Sequence, residues 1–519
     1  MSDVAALAAD DRPFRTVLRN VATRYLSVAI ELVLGLITLP FNLHHLGSEA
    51  YGLWMLTAGL TIHFSILDLG YGGAMVKFVA QYRAHRDARA LNEIASTLFY
   101  VFTAFGIVAY LVAVGLAFNL DHVFKLSAEQ AETGKWILLM VAVFVAINFP
   151  FSVYGGISSG FQRYDINNFV AIGSNTLVAL VNIAVVLLGF GLLPLVAATT
   201  FVRVATYWVY RRNAYRVYPQ LQISPRLFRR ERLREITGFS VYSSVIDWAN
   251  KLNYELDEVV IGVFVGAAPV AVWAIADRVI SGIQRLTNQA NAVLFPVIVD
   301  SDTRQHVERL QKVLVEGTRV SLGTVLPIAV VLIVLADRIV AAWVGPAMLA
   351  VVPVLQILAV AVALRVGNAT GTTLLKGAGE VRYVAAVNIA AGAVNLVLSA
   401  ILIRPFGLVG VALGTLLPVA YASMFVLFPA ACRRVQLPVG EAVRRAVWPA
   451  TWPAAASALV LAALRWTYGG SIAAIVCEAG IATLVYAGLF VLAIGQRDRR
   501  HYLGRLTELT RRRHLAPAA

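Results

Sequence analysis

The residues best placed to do chemistry are charged side chains set inside strongly apolar stretches. Arg278, Gly282, Arg285 and Gln289 recur at steps that keep them within about 60° of one helical face. Two guanidinium groups one heptad apart repel unless an anion or acids lie between them, and the planar guanidinium fork suits a bidentate grip on phosphate. Arg24, Ser27, Glu31, Thr38 and Asn42 form a second polar stripe, and Thr57, Thr61, Ser65, Asp68 and Gly72 a third. Ser240, Ser243, Ser244, Asp247, Lys251, Tyr254 and Glu258 give a nearly continuous wet face, and Arg365, Asn368 and Thr372 a shorter one. Bland readings compete with chemical ones. Asp247 and Lys251 stand at i, i+4 and can neutralise one another. Arg24 can snorkel to an interface, and Asp68 or Glu31 can neutralise the arginine pair. Glu478 reads as structural or interfacial, and Asp337-Arg338 as a loop pair.

The elements that hold these side chains are long apolar runs. The hydrophobic share is 59% and only 14% of residues are charged, with a mean hydropathy of +0.73. A run of about 20 apolar residues crosses the hydrocarbon core, and a helix satisfies its backbone polar groups there. Fourteen such spans are expected, at 20–43, 52–77, 93–118, 135–157, 169–190, 192–212, 237–264, 269–298, 316–336, 340–375, 384–403, 407–431, 447–465 and 470–494. The expected fold is therefore all-α, a polytopic membrane protein. Charges inside such spans are costly, so each is a functional expectation by default.

Orientation follows from the basic residues. Of the 44 Lys and Arg, 33 fall in the N-terminus, every second loop and the C-terminus, and the opposite loops hold only Lys125, Lys135, Arg338, Arg404 and Arg465. The positive-inside rule then puts both termini in the cytoplasm. The net charge of +15 is mostly this topological signal, which argues against nucleic-acid binding. The first 19 residues lack a signal-peptide pattern. Cys432 and Cys477 are isolated, so neither a disulfide framework nor a metal cluster is expected. His44-His45 reads as a solvated interfacial pair, and the absence of a Walker A pattern argues against ATP hydrolysis.

The chain also repeats itself. Asn175 and Asn182 are matched by Asn388 and Asn395, and Gly156 and Gly160 by Gly367 and Gly371. Arg163-Tyr164 and Phe190-Gly191 are matched by Arg382-Tyr383 and Phe406-Gly407, in the same order. Six spans per copy is an even number, so the copies are parallel. The expected organisation is a cytoplasmic segment 1–19, a first six-helix bundle 20–215, a basic linker 216–236 and a second bundle 237–432. Two further helices over 433–495 and a basic tail 496–519 complete it, with a central cavity between the bundles.

Leu67-Asp68-Leu69-Gly70-Tyr71-Gly72-Gly73, running into Val76-Lys77-Phe78-Val79-Ala80-Gln81-Tyr82-Arg83, resembles the end of the second span in polysaccharide flippases. So does the early Leu39-Pro40 to Leu46-Gly47 followed by Ala50-Tyr51-Gly52, and Asp257-Glu258 to Ile261-Gly262 with Gly266 resembles the start of the second repeat. Trp273 stands where that family often has Tyr. The chain is thus similar to the superfamily of multidrug, oligosaccharidyl-lipid and polysaccharide exporters throughout its length. The resemblance implies a flippase that carries a polyprenyl-diphosphate-linked oligosaccharide from the cytoplasmic to the outer leaflet of the cell membrane. It implies that Arg24, Arg278, Arg285 and Arg365 hold the diphosphate in a cationic cavity. Glu31, Asp68, Asp247 and Lys251 are then candidates for ion coupling or charge pairing, with a proton or sodium gradient and no bound cofactor or metal. Implied partners are the lipid-linked glycan, membrane lipids and a polysaccharide polymerase or glycosyltransferases.

Three other readings stay open: a lipid II flippase, a multidrug antiporter of the same superfamily, and a membrane glycosyltransferase or polymerase. A drug antiporter calls for an acid-dominated cavity, whereas the charges here are mixed and rich in Arg. An enzyme calls for a sizeable external loop with carboxylates. The longest outer loop, about 119–134, offers Asp121, Glu129 and Glu132 without a catalytic arrangement.

Overall fold

The computed structural model describes residues 11–64, 68, 71–237, 256–465 and 471–494, and all regular structure among them is helical. The longer helices are α1 (Asp11–His63), α2 (Tyr71–Ala84), α3 (Ala88–Ala117), α4 (Ala128–Gly160), α5 (Tyr164–Leu187) and α6 (Leu192–Val217). Then come α7 (Asp257–Phe264), α8 (Ala267–Thr303), α9 (Val307–Val334), α10 (Val352–Gly367), α11 (Ala369–Gly377) and α12 (Val381–Phe406). The last are α13 (Leu408–Tyr421), α14 (Phe428–Arg434), α15 (Trp448–Leu464) and α16 (Ile472–Ala493).

Among the described residues, 11 helical stretches are long and apolar enough to cross a bilayer, and the chain is a multi-pass membrane protein. The difference from fourteen has three local sources. The first two expected spans form one helix, α1, broken at Gly47, whose φ of 80° no ordinary side chain favours. The seventh falls largely on residues outside those described. The eighth corresponds to α8, whose polar stripe lowers its apolarity, and it is not one of the 11.

Local chemistry sets the ends of these helices. The Asp87 carboxylate accepts from the Ala90 N–H and starts α3, and Ser127 with Gln130 closes a capping box at the start of α4. Several turns end in a left-handed residue that closes two backbone bonds. At Arg86, its N–H reaches the Arg83 carbonyl while the Asp87 N–H reaches that of Tyr82. Gln305 does the same toward Asp302, and His306 toward Ser301. These two residues are 219 positions apart. The left-handed pairs Gln162 with Gly379 and Gly189 with Gly407 lie 217 and 218 positions apart. These turns therefore recur at nearly one offset, close to the spacing of the side-chain matches in the sequence.

The helices divide into two compact units, residues 1–278 with 392–411, and residues 279–391 with 412–519. In the first, Phe78, Leu91, Ile94, Leu98, Phe102 and Ile157 form a buried core. Close helix approach there depends on small residues. A Cβ on Gly106 of α3 would meet the Ala146 carbonyl oxygen of α4 at 2.3 Å, and one on Gly160 would meet Val79 at 2.4 Å. In the second unit, Leu310, Leu314, Leu374, Phe428 and Cys432 form one core, and Leu335, Leu461, Ala482 and Tyr486 another. Gly367 packs against Leu322 and Gly317 against Thr370.

Candidate functional site

The polar stripe of α1 is partly core and partly accessible. Ser27 and Asn42 are buried, Glu31 is half-buried and Arg24 is exposed. Gly35, one turn beyond Glu31, lets the Arg278 side chain of α8 lie directly across the helix, with its Nη2 1.7 Å from where a Cβ would stand. That guanidinium donates to the Glu31 carbonyl oxygen at 3.4 Å. Arg278 also lies within electrostatic range of Tyr51. Arg278 stands eleven residues into α8, about 16 Å along the axis at 1.5 Å per residue. The same unit brings Glu258 of α7 against Gly59 of α1. Asp68 accepts from the Gly72 N–H at 3.1 Å and so caps the start of α2.

In the second unit, the Arg365 Nη1 donates to the Gln284 Oε1 at 3.1 Å, while Arg285, the next residue on α8, is exposed. Asp247 and Lys251 lie outside the described residues, as do Ser240, Ser243, Ser244 and Tyr254. Thr57, part of the expected third stripe, is fully buried and turns its hydroxyl back to the Leu53 and Trp54 carbonyls. Its polarity is spent inside its own helix.

Two intramembrane arginines escaped the sequence reading, Arg203 and Arg319. Arg319 is buried and donates through Nε and Nη2 to the Arg445 carbonyl oxygen, at 3.1 and 2.8 Å, which ties α9 to the segment before α15. Arg203 sits eleven residues into α6, near the middle of its span. It faces a cavity of about 290 Å³ walled by α4, α5 and α6 within the first unit. Glu31 and Tyr207 lie within its electrostatic range, and its guanidinium carbon is 5.7 Å from the Phe144 ring centre.

Other charges are used up in structure. The Glu478 side chain, 0% exposed within α16, receives Arg338 Nη1 at 3.0 and 3.1 Å. Asp337 pairs with Arg465, whose carbonyl in turn accepts from Arg338. Asp337 and Arg338 thus reach across to other helices instead of forming a loop pair. On the basic linker, Asn92 of α3 bonds the Gln220 carbonyl and the Gln222 N–H, both at 3.0 Å, and Ser96 bonds the Gln222 carbonyl and the Ser224 N–H. Glu93 meets Arg89, Arg229 and Arg232. Burial and a bond to Glu235 push the Tyr82 phenol up to about 12, so it stays a neutral donor in this clamp.

Residues 17–302 match the family described as polysaccharide biosynthesis protein. A Shigella flexneri protein named as an O-antigen transporter is 21% identical over 282 residues, 54% of this chain and 66% of that protein. The match spans just under two thirds of that relative's length. Among solved structures, the lipid II flippase MurJ in an inward closed conformation superposes with a TM-score of 0.71. It is 14% identical, covering 91% of this chain and 98% of that one. An inward-facing multidrug resistance MATE family transporter of the MOP superfamily gives a TM-score of 0.63 at 18% identity, covering 78% of this chain and 98% of that one. The chain shares its fold with these two transporters.

Proposed function

The chain belongs to the family of polysaccharide biosynthesis proteins, and we propose that it is a flippase for polyprenyl-diphosphate-linked oligosaccharide. In this reading the substrate moves from the cytoplasmic to the outer leaflet by alternating access and supplies a cell-surface polysaccharide. The name of the Shigella flexneri relative supports the substrate class. The observation that carries the reading is Arg278, an arginine deep on α8 that lies across Gly35 and donates to a backbone carbonyl. A guanidinium so placed keeps most of its donors for a phosphate oxygen. Arg24, Arg285 and Arg365 complete the proposed diphosphate-binding set.

The remaining parts of the proposal follow from the same charge pattern. Both termini lie in the cytoplasm and the protein resides in the cytoplasmic membrane, as the basic loops direct. A reporter active only in the cytoplasm, placed after Arg216, is then active, and one near Ser127 is silent. The protein catalyses no glycosyl transfer itself. It receives substrate from glycosyltransferases and delivers it to a polymerase. Glu31, Asp68, Asp247 and Lys251 are its candidates for coupling to a proton or sodium gradient, with no bound cofactor.

The test is flipped lipid-linked oligosaccharide per folded molecule in cells, for Arg285→Ala and Arg285→Lys. Loss of a charge-assisted contact costs a few kcal/mol, so Arg285→Ala gives a deep defect at near-normal protein level. Arg285→Lys restores part of it, keeping the charge and losing the fork. Normal flux per molecule in Arg285→Ala removes this arginine from the diphosphate site.

A further inference from the structure

The cavity beside Arg203 belongs to one unit of the fold and involves none of the four proposed diphosphate arginines. Among the described residues, its wall is lined by no Asp or Glu. Three nitrogen-bearing side chains turn to it from three helices: Asn148 of α4, Asn175 of α5 and Arg203 of α6. The Asn148 Oδ1 is taken by the Tyr207 hydroxyl at 2.8 Å, which leaves the amide N–H groups of Asn148 as donors to the cavity. Ser174 and Thr206 bond to each other at 2.9 Å. The donors the wall offers a guest are therefore its amide N–H groups and the charged Arg203 guanidinium, since the Ser152, Thr206, Tyr207 and Tyr210 hydroxyls already donate to the protein.

The rest of the wall is aromatic. The Phe144 and Tyr207 rings stack at 5.8 Å with 16° between their planes, and Phe151 lies 5.6 Å from Tyr207. Tyr210 also lines the space. Aromatic faces pack against the C–H groups of a saccharide ring, while amide and guanidinium donors meet its oxygens. The volume of about 290 Å³ is near the low end for ligand pockets, which run from roughly 300 to 1,000 Å³. It suits one small ring with a charged substituent, and it is small for a diphosphate joined to a glycan. A single guanidinium matches one carboxylate through two parallel bonds.

We propose that this cavity is a subsite for one acidic monosaccharide unit, its carboxylate held by Arg203 and its ring by the aromatic wall. Glu31 of α1, within electrostatic range but absent from the wall, balances the guanidinium when the cavity is empty. For its biological substrate the proposal rests on the flippase reading, and it extends that reading to glycans that carry a uronate-like sugar. Its binding chemistry stands without that reading.

The experiment is saturation-transfer NMR on the full-length protein in nanodiscs, with sodium glucuronate, glucose and inorganic diphosphate as separate probes. Wild-type protein gives a glucuronate signal well above that of glucose. Arg203→Gln lowers it about tenfold, the effect of removing a charged hydrogen-bonding partner, with glucose unchanged. Asn175→Ala, which keeps the charge, lowers it by a smaller factor and carries the test should Arg203→Gln fail to fold. Equal signals from glucuronate and glucose, or full glucuronate binding in Arg203→Gln, overturn the proposal. So does displacement of glucuronate from wild type by diphosphate, which makes the cavity a phosphate site. Lipid flux without glucuronate binding sinks this inference and spares the flippase reading, and binding without flux does the reverse.

Discussion

Two arginine sites in the same molecule are built on opposite plans. Around Arg338, both terminal guanidinium nitrogens meet an acceptor of the protein: the fully buried Glu478 carboxylate and the Arg465 carbonyl, with Asp337 pairing with Arg465. Around Arg203 the wall holds, among the described residues, amides, hydroxyls and aromatic rings and no carboxylate, with Glu31 in electrostatic range outside it, and it borders an open space. The first plan removes charge from the reckoning and fastens α16 to the short helix Ala336–Trp343 that follows α9. The second keeps a charge available for a guest. Intramembrane charge is thus not one signal, and its meaning is set by whether the matching acid is built in.

The largest effect that sharpens this contrast is on folding. Glu478→Ala leaves the half-buried Arg338 without its carboxylate, and the cost approaches the roughly 3–5 kcal/mol of breaking a fully buried pair. The amount of folded protein after mild heating falls accordingly, whereas Arg203→Gln stays close to wild type. Similar losses in both variants would erase the distinction between the two sites.

A smaller effect separates two glycines. A Cβ on Gly106 meets backbone, the Ala146 carbonyl oxygen at 2.3 Å, so Gly106→Ala forces α3 and α4 apart and costs about 1–3 kcal/mol. A Cβ on Gly35 meets only the far end of the Arg278 side chain, which can move. Gly35→Ala therefore leaves the melting temperature near that of wild type and lowers flux per folded molecule. Measuring both quantities for both variants checks the assignment, and unchanged flux in Gly35→Ala counts against Arg278 as a substrate group.

The smallest effect lies at the cytoplasmic linker. Asn92→Ala removes two bonds to the Gln220–Gln222 backbone, each worth about 1 kcal/mol net. Limited proteolysis within residues 219–229 speeds up severalfold while the membrane helices remain protected. An unchanged cleavage rate would show that Ser96, the Thr97 hydroxyl that accepts from the Arg229 N–H at 3.0 Å, and the Glu93 ion pairs hold the linker without Asn92.

Much of the architecture could be read directly from residues, because bilayer thickness and backbone hydrogen bonding leave few options for a chain this apolar. The helices and the tight packing at Gly156, Gly160 and Gly367 were legible in this way. The site was legible only in part. Arg278 stood out because it shares a helical face with Arg285, while Arg203 stood alone amid Thr199, Thr206 and Tyr210 and formed no second charge to pair with it. Counting would have found it: of the 44 basic residues, 33 and 5 belong to the two sets of loops, which leaves 6 within spans, Arg203 and Arg319 among them. Thr57 shows the converse, a polar stripe member whose hydroxyl is consumed by its own backbone. Whether a polar side chain serves a ligand or its own helix depends on rotamer and neighbours, which spacing alone does not encode.

The most direct test of the central claim is transbilayer movement of a fluorescent polyprenyl-diphosphate-linked oligosaccharide in proteoliposomes holding the purified protein. The account predicts protein-dependent movement that is lost in Arg278→Gln at equal reconstitution and is absent for a small cationic dye. Transport of the dye with no movement of the lipid-linked oligosaccharide would contradict it.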